Sequence, residues 1–403
     1  MRLRGLAAVC TVALAAAAAA QATAPSTAGR LGRALRVPGV DPAASAAAVV
    51  DLATGEEVFS RNAGLSLAPA SNEKLAVAYT ALVELGPGYR FATSVLAEGR
   101  QAGSVWRGRL VLKGFGDPTL QTDDLKRLAR RLHERGIRRV TGHVAGDGSW
   151  FDDRWTAPGW RPGFYGLESP PLSALVVNRG VRHRRLVRDP RLAAAALFDR
   201  ILREQGIDAR DAVVGAARPG AVTLATVRSK KLANLLRSMD ADSDNFTAEL
   251  VLKAIGAKVQ GVGSTAAGAA VVRRDLAAAG IPLAGVRIVD GSGLSSLDRA
   301  TARELAALLY LCWRTPSLRA LVPASLAVAG ETGTLRHRLL GPGTRGIVRG
   351  KTGTTALASA LSGYVGTRFA FVLLQNGHPV DWGAAHALQD RFVETLARLQ
   401  KRL

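Results

Sequence analysis

The spacing of apolar residues near the start of the chain predicts a pair of strands followed by a buried helix. The apolar run Ala46–Asp51 is typical of a strand, and a turn at residues 53–55 leads into a second strand through Phe59. From Ser71 to about Leu85 the apolar residues cover most sides of a helix, which a Gly-Pro-Gly stretch then stops. A helix with this pattern is a central, buried one.

The pattern then changes to short strands, turns and a few basic helices, from about residue 96 to residue 225. Within this stretch, residues 151–171 are rich in Trp, Pro and Gly, and they predict an ordered but irregular loop. Before the first strand, Thr23–Val37 contains Pro, Gly and Arg, and we expect an irregular, mobile lead-in there. The middle of the chain therefore predicts a β-rich unit of its own.

After about residue 226 longer helical patterns return, and they are followed by three strand-like runs between residues 346 and 375. A last helical pattern begins near Trp382. We therefore predict an α/β (α+β) domain that is split in sequence by an inserted domain. The predicted division is a catalytic domain at residues 23–95 and 226–403, with the β-rich insert at residues 96–225.

The first residues predict a secretory signal peptide rather than part of the fold. Arg2 and Arg4 form a basic start, residues 5–20 are apolar and rich in alanine, and Ala20-Gln21-Ala22 fits a cleavage site. We predict a signal at residues 1–22, no transmembrane anchor in the mature chain, and export to the periplasm or the extracellular cell envelope. The alternative is a retained membrane anchor, for which the apolar run is short.

Charge and cysteine content narrow the classes of partner. The formal net charge is +22, which favours anionic partners such as wall polymers or lipid head groups. Nucleic acid would also suit this charge, but the export signal and the lack of a basic–aromatic binding motif predict no such partner. Removal of the signal leaves Cys312 as the single cysteine, so the mature chain cannot form an internal disulfide.

Three short motifs carry candidate chemistry, and the first is Ser71-Asn72-Glu73-Lys74. Residues three apart on a helix share a face, so the Ser71 hydroxyl and the Lys74 amine can meet. A serine hydroxyl is a weak nucleophile until a base takes its proton, and a lysine can be that base when burial lowers its pKa. The same pattern also fits a helix-capping serine beside a solvated lysine.

The second and third motifs are Ser243-Asp244-Asn245 and Lys351-Thr352-Gly353-Thr354. Ser and Asp before a helix also serve as ordinary N-caps. Lys-Thr-Gly on an edge strand offers a cation, a hydroxyl and a bare backbone against which an extended peptide could lie, although the triplet also fits a plain turn. Neither motif needs a cofactor or a metal, and we predict none.

Together and in this order, the three motifs resemble those of the penicillin-binding proteins and serine β-lactamases. Further segments resemble the D-alanyl-D-alanine carboxypeptidase/endopeptidase family of class C low-molecular-mass penicillin-binding proteins. These segments are Gly114-Phe115-Gly116-Asp117-Pro118-Thr119-Leu120, Asp290-Gly291-Ser292-Gly293-Leu294-Ser295, Gly333-Thr334-Leu335 and Ser359-Ala360-Leu361-Ser362-Gly363-Tyr364. The resemblance implies a penicillin-binding protein/β-lactamase-like transpeptidase domain with an insert between the first two motifs.

The resemblance also implies a reaction. It makes Ser71 the nucleophile, Lys74 its base, and Ser243, Asn245 and Lys351 the other catalytic residues of a serine D,D-peptidase. Peptidoglycan stem peptides would be the substrate and β-lactam antibiotics would be covalent inhibitors. The alternatives are a serine β-lactamase or esterase with the same site, and an inactive wall-binding protein.

Substrate binding is implied at four further positions. Thr352, Gly353 and Thr354 would hold the substrate backbone and its carboxylate, and Asp147 would face the amino group of a diaminopimelate side chain. Asp147 also fits a turn aspartate. The chain departs from relatives at two positions. Ser296 stands where relatives can have an arginine, for which Arg299 is a candidate substitute, and Ala356 stands where relatives can have a polar residue.

Overall fold

The computed structural model describes residues 26–400, so the predicted signal peptide at residues 1–22 lies outside the described residues. Within this described part, every helix is too short or too polar to cross a bilayer. The expectation of an irregular lead-in is wrong for Thr27–Ala34, which forms helix α1. The Ser26 side chain accepts a hydrogen bond from Gly29 N–H, and Leu31 is buried against the last helix of the chain, which orders this segment.

The first part of the split domain then adds two strands and the predicted buried helix. A 3₁₀ turn at Ala70–Asn72 stands directly in front of that helix. The elements are β1 (Ser45–Asp51), β2 (Glu57–Arg61) and α2 (Glu73–Glu84).

The middle of the chain forms a seven-stranded mixed sheet with two main helices on it. The elements are β3 (Ala92–Ala97), β4 (Arg100–Ala102), β5 (Val105–Arg107), β6 (Leu110–Gly114), α3 (Thr122–Glu134), β7 (Arg139–Asp147), α4 (Phe164–Leu167), β8 (Val181–Arg182), β9 (Arg185–Leu186), α5 (Pro190–Glu204), β10 (Asp208–Val214) and β11 (Val222–Arg228). The strand order of the sheet is β11-β3-β6-β7-β5-β4, and β10 pairs with β7 in parallel. Leucine, isoleucine and phenylalanine side chains of α3 and α5 form a separate core against this sheet.

The last part of the chain returns to the split domain with helices, the predicted β-meander and a terminal helix. The elements are α6 (Leu232–Ala241), α7 (Asn245–Gln260), α8 (Thr265–Ala278), α9 (Ala302–Arg314), α10 (Pro316–Arg319), α11 (Val322–Ser325), β12 (Ala327–Val328), β13 (Val348–Thr354), β14 (Ala358–Val365), β15 (Phe369–Asn376) and α12 (Trp382–Gln400).

The second sheet joins strands from both ends of the chain, in the order β12-β13-β14-β15-β1-β2. Successive side chains of β15 point alternately to two cores, one shared with α2, α7 and α9, the other with α1 and α12. A strand covered on both faces must be apolar on both, as β15 is. The 3₁₀ turn in front of α2 packs against β13 and β14, so the first residues of α2 lie next to β13.

Candidate active site

The Ser71 motif lies at a tight turn that leads into α2. Ala70, just before Ser71, has a positive φ of 46°, which is unusual for a residue with a side chain. Gly293 packs against this turn so closely that a Cβ there would lie 1.8 Å from the Ala70 carbonyl oxygen. The Ser71 hydroxyl is thus held at the surface end of a buried helix.

Lys74 lies one turn further on and is fully buried. Its Nζ donates hydrogen bonds to Ser71 Oγ at 2.9 Å, to Asn245 Oδ1 at 2.8 Å and to the Ser292 carbonyl oxygen at 2.7 Å. Burial lowers the pKa of Lys74 to about 8, although nearby carboxyl groups such as Asp290 oppose the shift. A lysine with this pKa can lose its proton near neutral pH, which a base for Ser71 requires.

The Ser243 motif forms the turn between α6 and α7. Ser243 has a φ of 60°, and the Asp244 side chain caps α7 by accepting from Phe246 N–H. Arg179, from the insert, forms two hydrogen bonds with the Asp244 carboxylate, at 2.9 and 2.6 Å. Asp244 therefore fixes the turn, as its capping pattern predicts, and places Asn245 at the first position of α7 beside Lys74.

The Lys351 motif occupies an outer edge of the sheet. Strand β12 pairs with Arg349 and Gly350, so among residues 26–400 β13 has no neighbouring strand on that side from Lys351 onward. Lys351 is fully buried, and its Nζ donates to Ser243 Oγ at 2.8 Å and to the Thr352 carbonyl oxygen at 2.9 Å. Burial, and then the charge of Lys74, lower the pKa of Lys351 well below its usual range.

Gly353 has a second role at this edge besides the predicted bare backbone. A Cβ on Gly353 would lie 2.9 Å from Asn72 Nδ2 and 3.0 Å from both Ala70 Cβ and the Pro69 carbonyl oxygen. The glycine thus lets β13 pack against the turn that carries Ser71, besides leaving a bare backbone. Its neighbour Thr354 is exposed.

Five predicted residues are thus brought together as two hydrogen-bonded groups, one of Ser71, Lys74 and Asn245 and one of Ser243 and Lys351. The Thr352 hydroxyl is hydrogen-bonded to the Thr334 hydroxyl at 2.8 Å, at the edge of the same site. This arrangement pairs each of two serine hydroxyls with a buried amine.

Asp147 lies elsewhere, inside the insert. Its carboxylate is buried, forms an ion pair with Lys113 at 3.1 Å and accepts hydrogen bonds from the N–H groups of Ala217 and Ser149. Burial alone would raise the pKa of Asp147, but these hydrogen bonds outweigh it and hold the pKa below its usual range. None of its polar contacts reaches Ser71 or the other four residues.

The two departures from the family pattern lie on the surface of the split domain. Ser296 is exposed, and its hydroxyl donates to the Gly159 carbonyl oxygen at 3.3 Å. The Arg299 guanidinium donates to the carbonyl oxygens of Ser296 and Asp298, at 2.9 and 2.6 Å. Ala356 accepts a backbone hydrogen bond from Val380. The Arg299 guanidinium is thus bonded to carbonyl oxygens of its own loop.

A layer of buried residues behind Lys74 is not indicated by the three motifs. The Glu249 carboxylate accepts from the N–H groups of Gly291 and Ser292, at 3.0 and 2.8 Å, and so holds the turn whose Ser292 carbonyl binds Lys74. Burial, and then Asp290, raise the pKa of Glu249 to about 8. The sequence does contain a signal for Glu249, because it follows Asn245 by one helical turn and so lies on the same face of α7.

The insert also reaches the site through its irregular loop, which the sequence did not show. Trp160 donates from its indole nitrogen to Asp290 Oδ2 at 2.7 Å. The Glu168 carbonyl oxygen accepts from Asn245 Nδ2 at 3.2 Å. Asp290 itself accepts from the N–H groups of the 290–295 turn, so the loop and the turn support each other.

Replacing Glu249 tests whether this layer positions Lys74. We expect Glu249→Leu to slow penicillin acylation at least about tenfold, because two buried N–H groups lose their acceptor at about 1–3 kcal/mol each and the Ser292 carbonyl shifts. Glu249→Gln keeps an acceptor and should stay near the wild-type rate. The measurement is the second-order acylation rate constant at pH 7, and equal losses in both variants would contradict the positioning role.

A split domain with a serine and lysine at the start of a buried helix, a second serine turn and a Lys-Thr-Gly edge strand defines the class of penicillin-recognising serine peptidases. Penicillin binding protein 4 from Haemophilus influenzae has this fold: its structure aligns with a TM-score of 0.82 at 21% identity, covering 92% of this chain and 98% of that one. A predatory peptidoglycan endopeptidase from Bdellovibrio bacteriovorus aligns with a TM-score of 0.58 at 17% identity, covering 88% and 92%. The predicted fold class is confirmed.

The family follows from the sequence matches. The family model of D-Ala-D-Ala carboxypeptidase 3 (S13) matches residues 28–187 and 178–399. The D-alanyl-D-alanine carboxypeptidase of Actinomadura sp. (strain R39) is 31% identical, over 90% of this chain and 83% of its own length. A carboxypeptidase from Mycobacterium tuberculosis is 32% identical, over 87% and 79%. The chain belongs to the D-Ala-D-Ala carboxypeptidase 3 (S13) family, as its motifs indicate.

Proposed function

We propose that this protein is a serine D,D-peptidase that removes the terminal D-alanine from peptidoglycan stem peptides and also cleaves D,D cross-links. The observation that carries the proposal is the buried amine of Lys74, 2.9 Å from Ser71 Oγ and with a pKa of about 8. The name of the Actinomadura relative, D-alanyl-D-alanine carboxypeptidase, supports the substrate.

Acylation begins at Ser71. The Lys74 amine, in its neutral form, takes the hydroxyl proton while Ser71 Oγ attacks the carbonyl carbon of the penultimate D-alanine. The oxyanion that forms accepts hydrogen bonds from the backbone N–H groups of Ser71 and Thr354. Asn245 and the Ser292 carbonyl keep the amine aimed at Ser71, since both remain bonded to Lys74 Nζ.

The leaving group needs a proton, and the second pair of residues supplies it. Ser243 gives its hydroxyl proton to the amine of the departing D-alanine as the carbon–nitrogen bond breaks. The Ser243 oxygen recovers one proton from Lys351, whose Nζ lies 2.8 Å away, and the proton that Lys74 took from Ser71 then replaces the one that Lys351 gave up. Water then cleaves the ester on Ser71, which releases the shortened peptide and restores the hydroxyl.

The substrate backbone binds along the free edge of β13. Thr352 and Thr354 offer hydroxyl groups to the terminal carboxylate. Because the Thr355 N–H bonds to Ala358 of β14, the backbone of the preceding Thr354 points away from β14, and its C=O group faces the side where a peptide would add as a strand. Asp147 remains our candidate for a diaminopimelate amino group, and its ion pair with Lys113 means that a substrate cation has to compete for the carboxylate.

The same proposal covers location, partners and domain division. The protein is exported through a signal peptide at residues 1–22 to the periplasm or the extracellular envelope, where stem peptides are substrates and β-lactams acylate Ser71. A penicillin G acylated structure of a Bdellovibrio endopeptidase with this fold supports the β-lactam assignment. Residues 23–95 and 226–403 form the catalytic domain and residues 96–225 the insert, with flanking strands β3 and β11 extending its sheet.

Turnover of two substrates tests the proposal. We expect release of D-alanine from a D-Ala-D-Ala stem peptide and slow turnover of the β-lactam nitrocefin, because the acyl-enzyme formed with a β-lactam hydrolyses slowly in a peptidase. Fast nitrocefin turnover without D-alanine release would favour the β-lactamase or esterase alternative. Wall binding without any acylation would favour the inactive binding protein.

A further inference from the structure

A basic groove follows the seam where the chain passes between the split domain and the insert. Two neighbouring cavities, of about 850 and 500 Å³, share Arg228 in their walls. The larger is lined by α6 and by the turn at Asp117, and the smaller by Tyr89, Phe115, Trp150 and other residues on both sides of the seam. We call these two cavities together the seam groove.

The seam groove carries unpaired positive charge. Arg228, Lys230 and Arg237 are exposed, and their side chains have no hydrogen bond or ion pair within the part of the chain that the structure describes. The two carboxyl groups in the groove are engaged, because Asp117 accepts from the Thr119 N–H and hydroxyl and Asp124 pairs with Arg127. The excess charge therefore attracts an anion.

Aromatic residues line the smaller cavity. Trp150 stacks on Phe151 and meets the edge of Phe115 at 5.7 Å between ring centroids. Lys258 lies over the Tyr89 ring at 5.9 Å. One face of the Trp150 ring and one face of the Tyr89 ring are therefore occupied, by Phe151 and Lys258, which leaves less surface for the successive stacking of nucleic-acid bases. The C–H groups of a single sugar ring need only one exposed ring face, and the arginine and lysine groups beside the rings suit its hydroxyl and acidic substituents.

The seam groove is separate from the active site. Helix α7 begins with Asn245 beside Lys74 and reaches the smaller cavity at Lys258, about 20 Å away along the helix at 1.5 Å per residue. The larger cavity is nearer, since Arg237 lies on α6 six residues before Ser243, but within the described residues its side chain has no bond to Ser243, Lys74 or Lys351. Changes in the groove should therefore leave the chemistry at Ser71 unaltered.

We propose that the seam groove binds an anionic polysaccharide, with acidic groups on Arg228, Lys230 and Arg237 and sugar rings against Tyr89, Phe115 and Trp150. A polymer that carries peptide substrates would be held there while a peptide occupies the β13 edge, a consequence that rests on the proposed function. The binding itself does not depend on it.

The test compares two double variants that remove the same charge. Arg228→Ser with Arg237→Ser empties the groove of two cations, whereas Arg33→Ser with Arg36→Ser removes two exposed cations at α1. The probes are oligogalacturonate, a neutral chito-oligosaccharide and oligothymidylate, titrated calorimetrically in 0.15 M salt. Penicillin acylation of Ser71 is measured in parallel.

We expect the groove variant to bind oligogalacturonate at least about tenfold more weakly than the wild type, and the α1 variant to change less than about twofold. Acylation rates should be equal in all three proteins, which separates this result from a failure of the proposed function. Equal weakening in both variants would show diffuse charge alone and overturn the proposal. A preference for oligothymidylate or for the neutral sugar would overturn it as well.

Discussion

Ser71→Ala is expected to abolish covalent labelling by penicillin and to lower D-alanine release by about a thousandfold or more, because the variant lacks the hydroxyl that forms the ester. Ser243 is also hydrogen-bonded to a lysine, but it lies on the turn before α7 and has the role of a proton carrier. The measurements are a fluorescent-penicillin gel assay and D-alanine release.

The matched control for Ser71 is Ser296→Ala, which removes an exposed hydroxyl from the nearby 290–299 segment. We expect this variant to label and to turn over substrate at wild-type rates. Both variants should keep the wild-type thermal midpoint, since neither hydroxyl is buried in a core. Covalent label that persists on the Ser71 variant would refute the assignment of the nucleophile.

The second large effect is expected at Lys74. Only the neutral amine can accept the Ser71 proton, so the acylation rate should rise with pH through the lysine pKa of about 8 and level off above it. Lys74→Met should lower the acylation rate by about 10²–10⁴-fold and remove this dependence. Burial lowers the pKa of Lys74, and four carboxyl groups oppose this shift: Asp290, Glu249, Asp244 and Asp240. Glu73 and Lys351 also interact with the amine through their charges.

A second buried lysine provides the control. Lys253 on α7 is fully buried as well, but its Nζ donates to Asp152 Oδ1 and to the carbonyl oxygens of Arg154 and Leu172. Lys253→Met should destabilise the fold because these acceptors lose their donor, yet leave the pH profile of acylation in place. A profile lost equally in both variants, or retained in the Lys74 variant, would contradict a base role for Lys74.

The local spacing of apolar residues predicted most helices and strands of the split domain. Strands β13, β14 and β15 lie, to within one residue, in the predicted stretch 346–375, and Ser243 and Asp244 precede α7 as their capping pattern indicates. Helix α1 was missed, because its eight residues contain two glycines and it is stabilised by packing of Leu31 against a helix at the other end of the chain. No local pattern carries that information.

By itself the sequence determined the three motifs, their order and the family. It also indicated that Lys74 faces Ser71, because helical spacing fixes that contact locally. Only the tertiary structure decided what surrounds Lys74, since Asn245, the Ser292 carbonyl and the Glu249 carboxyl come from distant segments. It also decided that Asp147 is paired with Lys113 and that Gly353 packs against the Ser71 turn. The pKa of Lys74 depends on its burial, and the close contact of Gly353 depends on a turn far away in the chain. Burial and long-range contacts cannot be deduced from the spacing of residues.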